Sequence, residues 1–263
     1  MTEKNSHEEL DDKFKKTQAN FMISSADVTN GNAVIANSLS ANFGEHSSAS
    51  SFSNSYCSFN YEPYVNPFSS LLSTLTQSQP GVKFSKDVIK HSPVRAAKAF
   101  SEMTSGYNED LQDLMRDGVY ETESESIIVV DNINMQSLCE HHLLPFYGKV
   151  TIAYLPNKKI MGLSKFERIV QIFSKRLQLQ EKLINQIVAC IEDIIRPRGL
   201  YINITATHMC ILMRGIKNAN SVTTTYLMRG LFKTNPNFLS QLMFVLYNKD
   251  KCICNSKTKN KHK

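Results

Sequence analysis

Between residues 126 and 228 the spacing of apolar side chains switches from strand-like to helical and back, and that order restricts the fold more than any other property of the chain. SIIVVDNINM (126–135) and GKVTIAYLP (148–156) are rich in β-branched residues and predict two strands. Ser164 to Ile195 predicts helix, with a break from Gln178 to Glu181. Leu183, Ile184, Ile187, Val188, Ile191, Ile194 and Ile195 recur there at spacings of three and four, which makes one apolar face. Arg196-Pro197-Arg198-Gly199 ends the run. LYINITAT (200–207), CILMRG (210–215) and SVTTTYLM (221–228) are strand-like again, and NPNFLSQLMFVLYN predicts a closing helix. Three helical stretches precede the first strand. One begins near Asn66, and one near Ser92-Pro93, read as a cap with proline at the first helical position. The third is NEDLQDLMRD, which stops before Gly118. Helices, two strands, long helices, strands and a last helix predict an α+β fold with an antiparallel sheet.

The two ends differ from this body. Residues 37–60 contain nine serines and no apolar period, so residues 1–60 are expected to be a disordered extension. The folded domain is expected over 61–248, followed by a basic tail over 249–263 with six lysines and one aspartate. The net charge of +6 divides into −3 for residues 1–60 and +9 for the rest. A basic body invites an anionic partner, either nucleic acid or a phosphorylated small molecule. No aromatic residues interleave with the lysine tail, so it reads as a solvated end and not as a nucleic-acid grip. No run approaches the ~18 apolar residues of a membrane span, and the polar start MTEKNSHEELDD has no apolar signal region. Six scattered cysteines do not form a disulfide framework. A reducing, cytoplasmic compartment is expected, where clustered Cys and His point to metal before cystine.

Such clusters occur twice, as Cys139-Glu140-His141-His142 and His208-Met209-Cys210. A helical turn would put Cys139 and His142 on one face and turn His141 elsewhere. A strand would put His208 and Cys210 on the same side. Cys139, His142 and Cys210 would then form a Cys2His zinc site with one open position, which a catalytic zinc needs for water. Buried cysteines and a core histidine that merely lie close in sequence are the other reading.

Gly162-Leu163-Ser164-Lys165-Phe166-Glu167-Arg168 reads first as a capping box, with Ser164 as N-cap and Glu167 three residues on. A helix start flanked by Lys165 and Arg168 also suits a phosphate. Neither a G-x-x-x-x-G-K-[ST] loop nor G-x-G-x-x-G is present, so a nucleotide must be held in another way.

LCEHHLLPFYGKVTIAYLPNKKIMGLSKFERIVQIFSKRLQLQEKL, followed by ATHMCILMRG, resembles GTP cyclohydrolase I over about residues 64–248. The motifs CEHH, GLSK, QxQE and H-x-C-x-x-x-R-G stand in order with compatible gaps. The resemblance implies the tunnelling fold, in which a four-stranded antiparallel sheet carries long helices on one side, with further helices at the N-terminus. It also implies a homodecamer with active sites at subunit interfaces. The implied reaction opens the imidazole ring of GTP at C8, releases formate and gives 7,8-dihydroneopterin triphosphate, the first step of pterin synthesis. By similarity Cys139, His142 and Cys210 hold Zn2+, while His141 and His208 transfer protons. Ser164, Lys165, Arg168 and Arg214 match ribose and triphosphate contacts, and Gln180 and Glu181 match the guanine pocket. Arg95 and Lys98, in SPVRAAK, match basic residues that reach the triphosphate across a subunit boundary.

Two departures stand out. Thr205 occupies a strand position where the family often has an acidic residue, and Lys182 follows Glu181 where arginine is common. Pterin synthases and nitrile reductases of related fold predict other ligand sets, and a purely structural zinc would need a fourth protein ligand.

Overall fold

The computed structural model describes residues 60–111 and 118–258, with side chains through Asn248. The serine-rich extension up to residue 59, most of the NEDLQDLMRD segment and residues 259–263 lie outside the described residues. The chain begins with helices α1 (Glu62–Ser78) and α2 (Lys86–Met103), then a 3-10 turn at Ser105–Tyr107. Strands β1 (Val119–Glu121), β2 (Ile128–Cys139), β3 (Pro145–Leu155) and β4 (Lys159–Met161) follow. Helix α3 (Leu163–Ser174), strand β5 (Leu177–Gln178) and helix α4 (Gln180–Ile195) come next. Strand β6 (Gly199–His208), the single turn α5 (Met209–Leu212), strand β7 (Thr223–Gly230), the short α6 (Leu231–Thr234) and α7 (Pro236–Thr258) complete it.

The main sheet has the order β5-β2-β3-β6-β7, and β1 pairs with β4 in a separate ribbon. Four of these strands, β2, β3, β6 and β7, are antiparallel neighbours, as expected. The expected four-stranded sheet is nonetheless corrected to five, because β5 adds two residues running parallel to β2. The cause is local. The extended link between α3 and α4 lies along the end of β2, where Gln178 O accepts from Glu140 N at 3.0 Å and Arg176 O accepts from Ser137 Oγ at 3.2 Å.

Alternation along the strands sorts the two faces. Ile133 and Met135, Phe146, Val150, Ile152 and Tyr154, and Leu200, Ile202, Ile204 and Ala206 are buried on the face that α3 and α4 cover. The α4 stripe of Leu183, Ile184, Ile187, Val188, Ile191 and Ile195 is buried, and the Tyr154 ring lies 5.3 Å from Phe166 of α3. Each such side chain contributes ~1.5–3 kcal/mol by leaving water. A bulge at Asp131 and Asn132, with Asn132 at φ 59°, inserts one residue opposite Thr151 and keeps Val130 and Ile133 on the same face. On the other face Ala153 and Leu155 meet Phe232 and Leu242 in a smaller core at one end of the sheet.

Helices α1 and α2 pack on one another through Tyr64, Phe68 and Phe100, with ring centroids 5.2 and 6.2 Å apart, and no residue of α1 is fully buried. Helix α2 starts earlier than Ser92-Pro93 predicts, because Ser85 caps it by accepting from Val88 N, and Pro93 sits inside the helix. Helix α7 continues to Thr258, past the expected end at Asn248. Residues 237–258 contain neither glycine nor proline, so nothing stops it there. Among the described residues no helix is long and apolar enough to cross a membrane.

Candidate metal centre and active site

The turn between β2 and β3 carries the first cluster. Cys139 N donates to Leu144 O at 2.8 Å, closing the hairpin, while Glu140 N donates across to β5. Inside the turn, His142 N and Leu143 N both donate to Cys139 O, at 3.3 and 2.8 Å. Leu143 takes φ 53°, an uncommon conformation for a branched side chain that the two flanking strands impose. This folded-back turn brings Cys139 Sγ to 3.5 Å from His142 Nδ1; both histidines are exposed, with ring centroids 6.1 Å apart.

The second cluster arrives through strand register. Phe146 of β3 pairs with His208 of β6, which sets the end of β6 beside the hairpin turn. CILMRG, predicted as strand, begins instead with the helical turn α5 over Met209–Leu212. Cys210 therefore does not share a strand face with His208; the turn folds it back toward Cys139. The ligand atoms of Cys139, His142 and Cys210 all lie within 4.8 Å of one another. Tetrahedral zinc, with bonds of about 2.3 Å to sulfur and about 2.0 Å to nitrogen, needs separations of roughly 3–4 Å. Two thiols and an imidazole at such spacing fit that ion after small shifts. Burial and the neighbouring Cys139 push the Cys210 thiol up, with Arg214 pulling the other way. A divalent cation held by Cys139, His142 and Cys210 would reverse that penalty, because it favours the thiolates.

His208 lies next to this cluster but faces a different partner. Its ring stacks on Phe146, with centroids 4.6 Å apart and planes 1° apart, and its Nε2 is 2.9 Å from Gln180 Oε1. Burial lowers its pKa, and the carboxylate of Glu181 raises it again in part. Gln180 is buried at the first position of α4, whereas Glu181 beside it is exposed. Lys182 donates to Glu140 Oε2 at 3.2 Å and so ties α4 to the metal turn, a link that sequence reading misses because the partners are 42 residues apart. Thr205, the departure noted above, points to the opposite sheet face, where it meets Asn203 and Thr224.

The cationic residues are arranged more loosely. Helix α3 starts at Leu163 with Gly162 as N-cap and no side-chain cap, so Ser164 is not the cap the expected box requires. Gly162 N donates to Gly118 O at 2.8 Å, and the helix is capped there, two residues before Ser164. The Lys165 stem crosses Gly118, where an added Cβ would meet its Cε at 2.7 Å; Ser164 and Arg168 are exposed. Arg214 follows α5 on an exposed loop near Cys210. Arg95 and Lys98 are not joined to this group. Arg95 pairs at 4.0 Å with Asp87, which also meets His91 at 2.7 Å, and the Lys98 ammonium lies 4.8 Å from the Tyr61 ring centroid.

Comparison with known proteins bears on this geometry. A family profile described as GTP cyclohydrolase I matches residues 72–246, which include the metal turn, α3, α4 and α5. GTP cyclohydrolase 1 of Homo sapiens is 41% identical over 179 residues, covering 68% of this chain and 70% of the human one. The proteins of the same name from Deinococcus radiodurans and Leptospira biflexa are 40% and 42% identical, covering 60% and 63% of this chain and 73% and 90% of theirs. Among solved structures, apo archaeosine synthase QueF-Like aligns with TM-score 0.35 and 14% identity over 41% of this chain and 97% of its own, a likeness too slight to decide anything. With the profile spanning most of the described residues, the chain belongs to the GTP cyclohydrolase I family.

Proposed function

We propose that the protein opens the imidazole ring of GTP by hydrolysis at C8, releases formate, and closes the rearranged product to 7,8-dihydroneopterin triphosphate, with zinc as its metal. The observation that carries this reading is the convergence of Cys139, His142 and Cys210 within 4.8 Å from two separate motifs. When bound, zinc supplies activation of water as a nucleophile near neutral pH. The remaining roles belong to side chains. His141, exposed beside the ligand cluster, and His208, stacked on Phe146 at its flank, are the groups proposed to move protons to and from the ring atoms. The exposed carboxylate of Glu181 accepts two hydrogen bonds from the N1–H and 2-amino edge of guanine. Adenine lacks that donor pair, which leaves the carboxylate unmatched and costs affinity.

Ser164, Lys165, Arg168 and Arg214 hold the ribose and triphosphate, where several cations are needed against several negative charges. Arg95 and Lys98 complete that grip from a neighbouring subunit of a homo-oligomer, a decamer by resemblance. No nucleic acid or membrane takes part, and the reducing cytoplasm suits the free thiols of Cys139 and Cys210. Formate release from GTP, measured beside the fluorescence of the oxidised product and the zinc content, tests the reading. Turnover without formate, or full activity after zinc is stripped, would contradict it.

A further inference from the structure

The side chain of Gln180 is 98% buried and its polar atoms are all engaged. Its Nε2 lies 3.0 Å from Ile204 O, 3.1 Å from Thr223 O and 3.1 Å from Thr225 Oγ1. Its Oε1 lies 2.9 Å from His208 Nε2. Two of the three groups around the nitrogen are backbone carbonyls, which can only accept. Turning the amide over would press its oxygen against both carbonyls with no hydrogen between them. The orientation is therefore fixed by the sheet: the NH2 faces β6 and β7, and the oxygen faces the histidine. An amide oxygen can only accept, so the ring nitrogen opposite it must carry a hydrogen.

We infer that Gln180 is a positioning residue that holds the neutral His208 ring as its Nε2–H tautomer, with its Nε2 edge turned inward and its Nδ1 edge left open. Stacking on Phe146 fixes the plane of the ring, and Gln180 fixes which edge points inward. The inference rests on the proton-transfer role of His208 proposed above, and it gives Gln180 a task apart from contact with guanine.

The test is a double-mutant cycle on the zinc-loaded enzyme. Gln180→Leu keeps the volume and removes the amide. It is expected to lower kcat by about 10²-fold, within the range of a general acid–base contribution, with KM for GTP and zinc content unchanged. His208→Ala is expected to lower kcat at least as far. Combined, the two should be no worse than His208→Ala alone, because a residue that acts through another loses its effect when that other is gone. A further loss in the combined variant, or a raised KM in Gln180→Leu, would overturn the inference while leaving His208 in its role. Full activity of His208→Ala would overturn both. Histidine 15N spectra of the unmutated holoenzyme, assigned by difference against His208→Ala, read the tautomer even where Gln180→Leu does not assemble. Hydrogen on Nε2 supports the inference, and hydrogen on Nδ1 of the neutral ring contradicts it.

Discussion

Cys139 is held by backbone hydrogen bonds to Leu144, His142 and Leu143, and His208 by a stacked ring and a buried amide. Arg95, by contrast, rides on α2 with 71% of its side chain exposed, and Arg168 and Arg214 are exposed as well. The two halves of the proposed site thus follow different rules. The metal half sits where strands end and register leaves little freedom, which suits chemistry that tolerates errors of only about 0.5 Å. The anion half relies on charge, which acts over about 8–10 Å and needs no fixed rotamer before substrate arrives. Arg95 and Lys98 meet Asp87 and Tyr61 of their own chain, and their proposed role is to reach the site of a neighbouring subunit. If Arg95 and Lys98 act from a neighbouring subunit as proposed, the substrate would bind fully only in the assembled enzyme, although Cys139, His142 and Cys210 converge within each chain.

The largest effects are expected on the rigid side. Cys210→Ser should lose zinc and turnover together while the sheet and its melting temperature survive, since Cys210 lies on the short α5 turn outside the core. Retained zinc at one per subunit would break the distinction between the halves. The next effect crosses the subunit boundary. Arg95→Ala and Cys139→Ser should each be nearly inactive, yet refolded together they should regain up to about a quarter of the sites, those pairing two intact halves. Absence of recovery despite proven mixing would place the whole site within one chain. Smaller still, Lys165→Met should raise KM for GTP by roughly 10- to 100-fold, the worth of one charged hydrogen bond, with kcat little changed. A fall in kcat with KM preserved would move Lys165 to the chemical half. Least of all, Lys182→Met should cost under about 1 kcal/mol in stability and correspondingly little in kcat, because its bond to Glu140 is half exposed. A loss as large as that of Cys210→Ser would show that this tie holds the metal turn in place.

The same contrast governs what the sequence makes legible. The stripe of α4 and the β-branched runs of β2, β3 and β6 declare themselves because a single period fixes both structure and burial. Cys139 and His142 are readable for a similar reason: a tight turn joins residues three apart, whichever strands flank it. Failures arise where a distant partner decides. CILMRG opens with four apolar residues, yet its start folds as a turn because β6 has reached the end of its pairing at His208. Ser85 outcompetes Ser92 as the cap of α2, since helix on both sides of Pro93 buries that residue and Ala97. Strand β5 has two residues, too few for any periodicity, and owes its existence to unpaired groups at the end of β2. Gln180 and His208 are 28 residues apart, and nothing in either local pattern announces their hydrogen bond.

The turn after β2 is expected to give His142 to the metal and to leave His141 free for the substrate. Zinc content and turnover, measured on the same samples of His141→Ala and His142→Ala, test it most directly. His142→Ala should lose zinc and activity together, because its Nδ1 lies 3.5 Å from Cys139 Sγ and within the ligand cluster. His141→Ala should keep about one zinc per subunit and lose about 10²–10⁴-fold in turnover, the size of a lost proton-transfer group. Zinc retained in His142→Ala and lost from His141→Ala would contradict both assignments and the geometry of the turn.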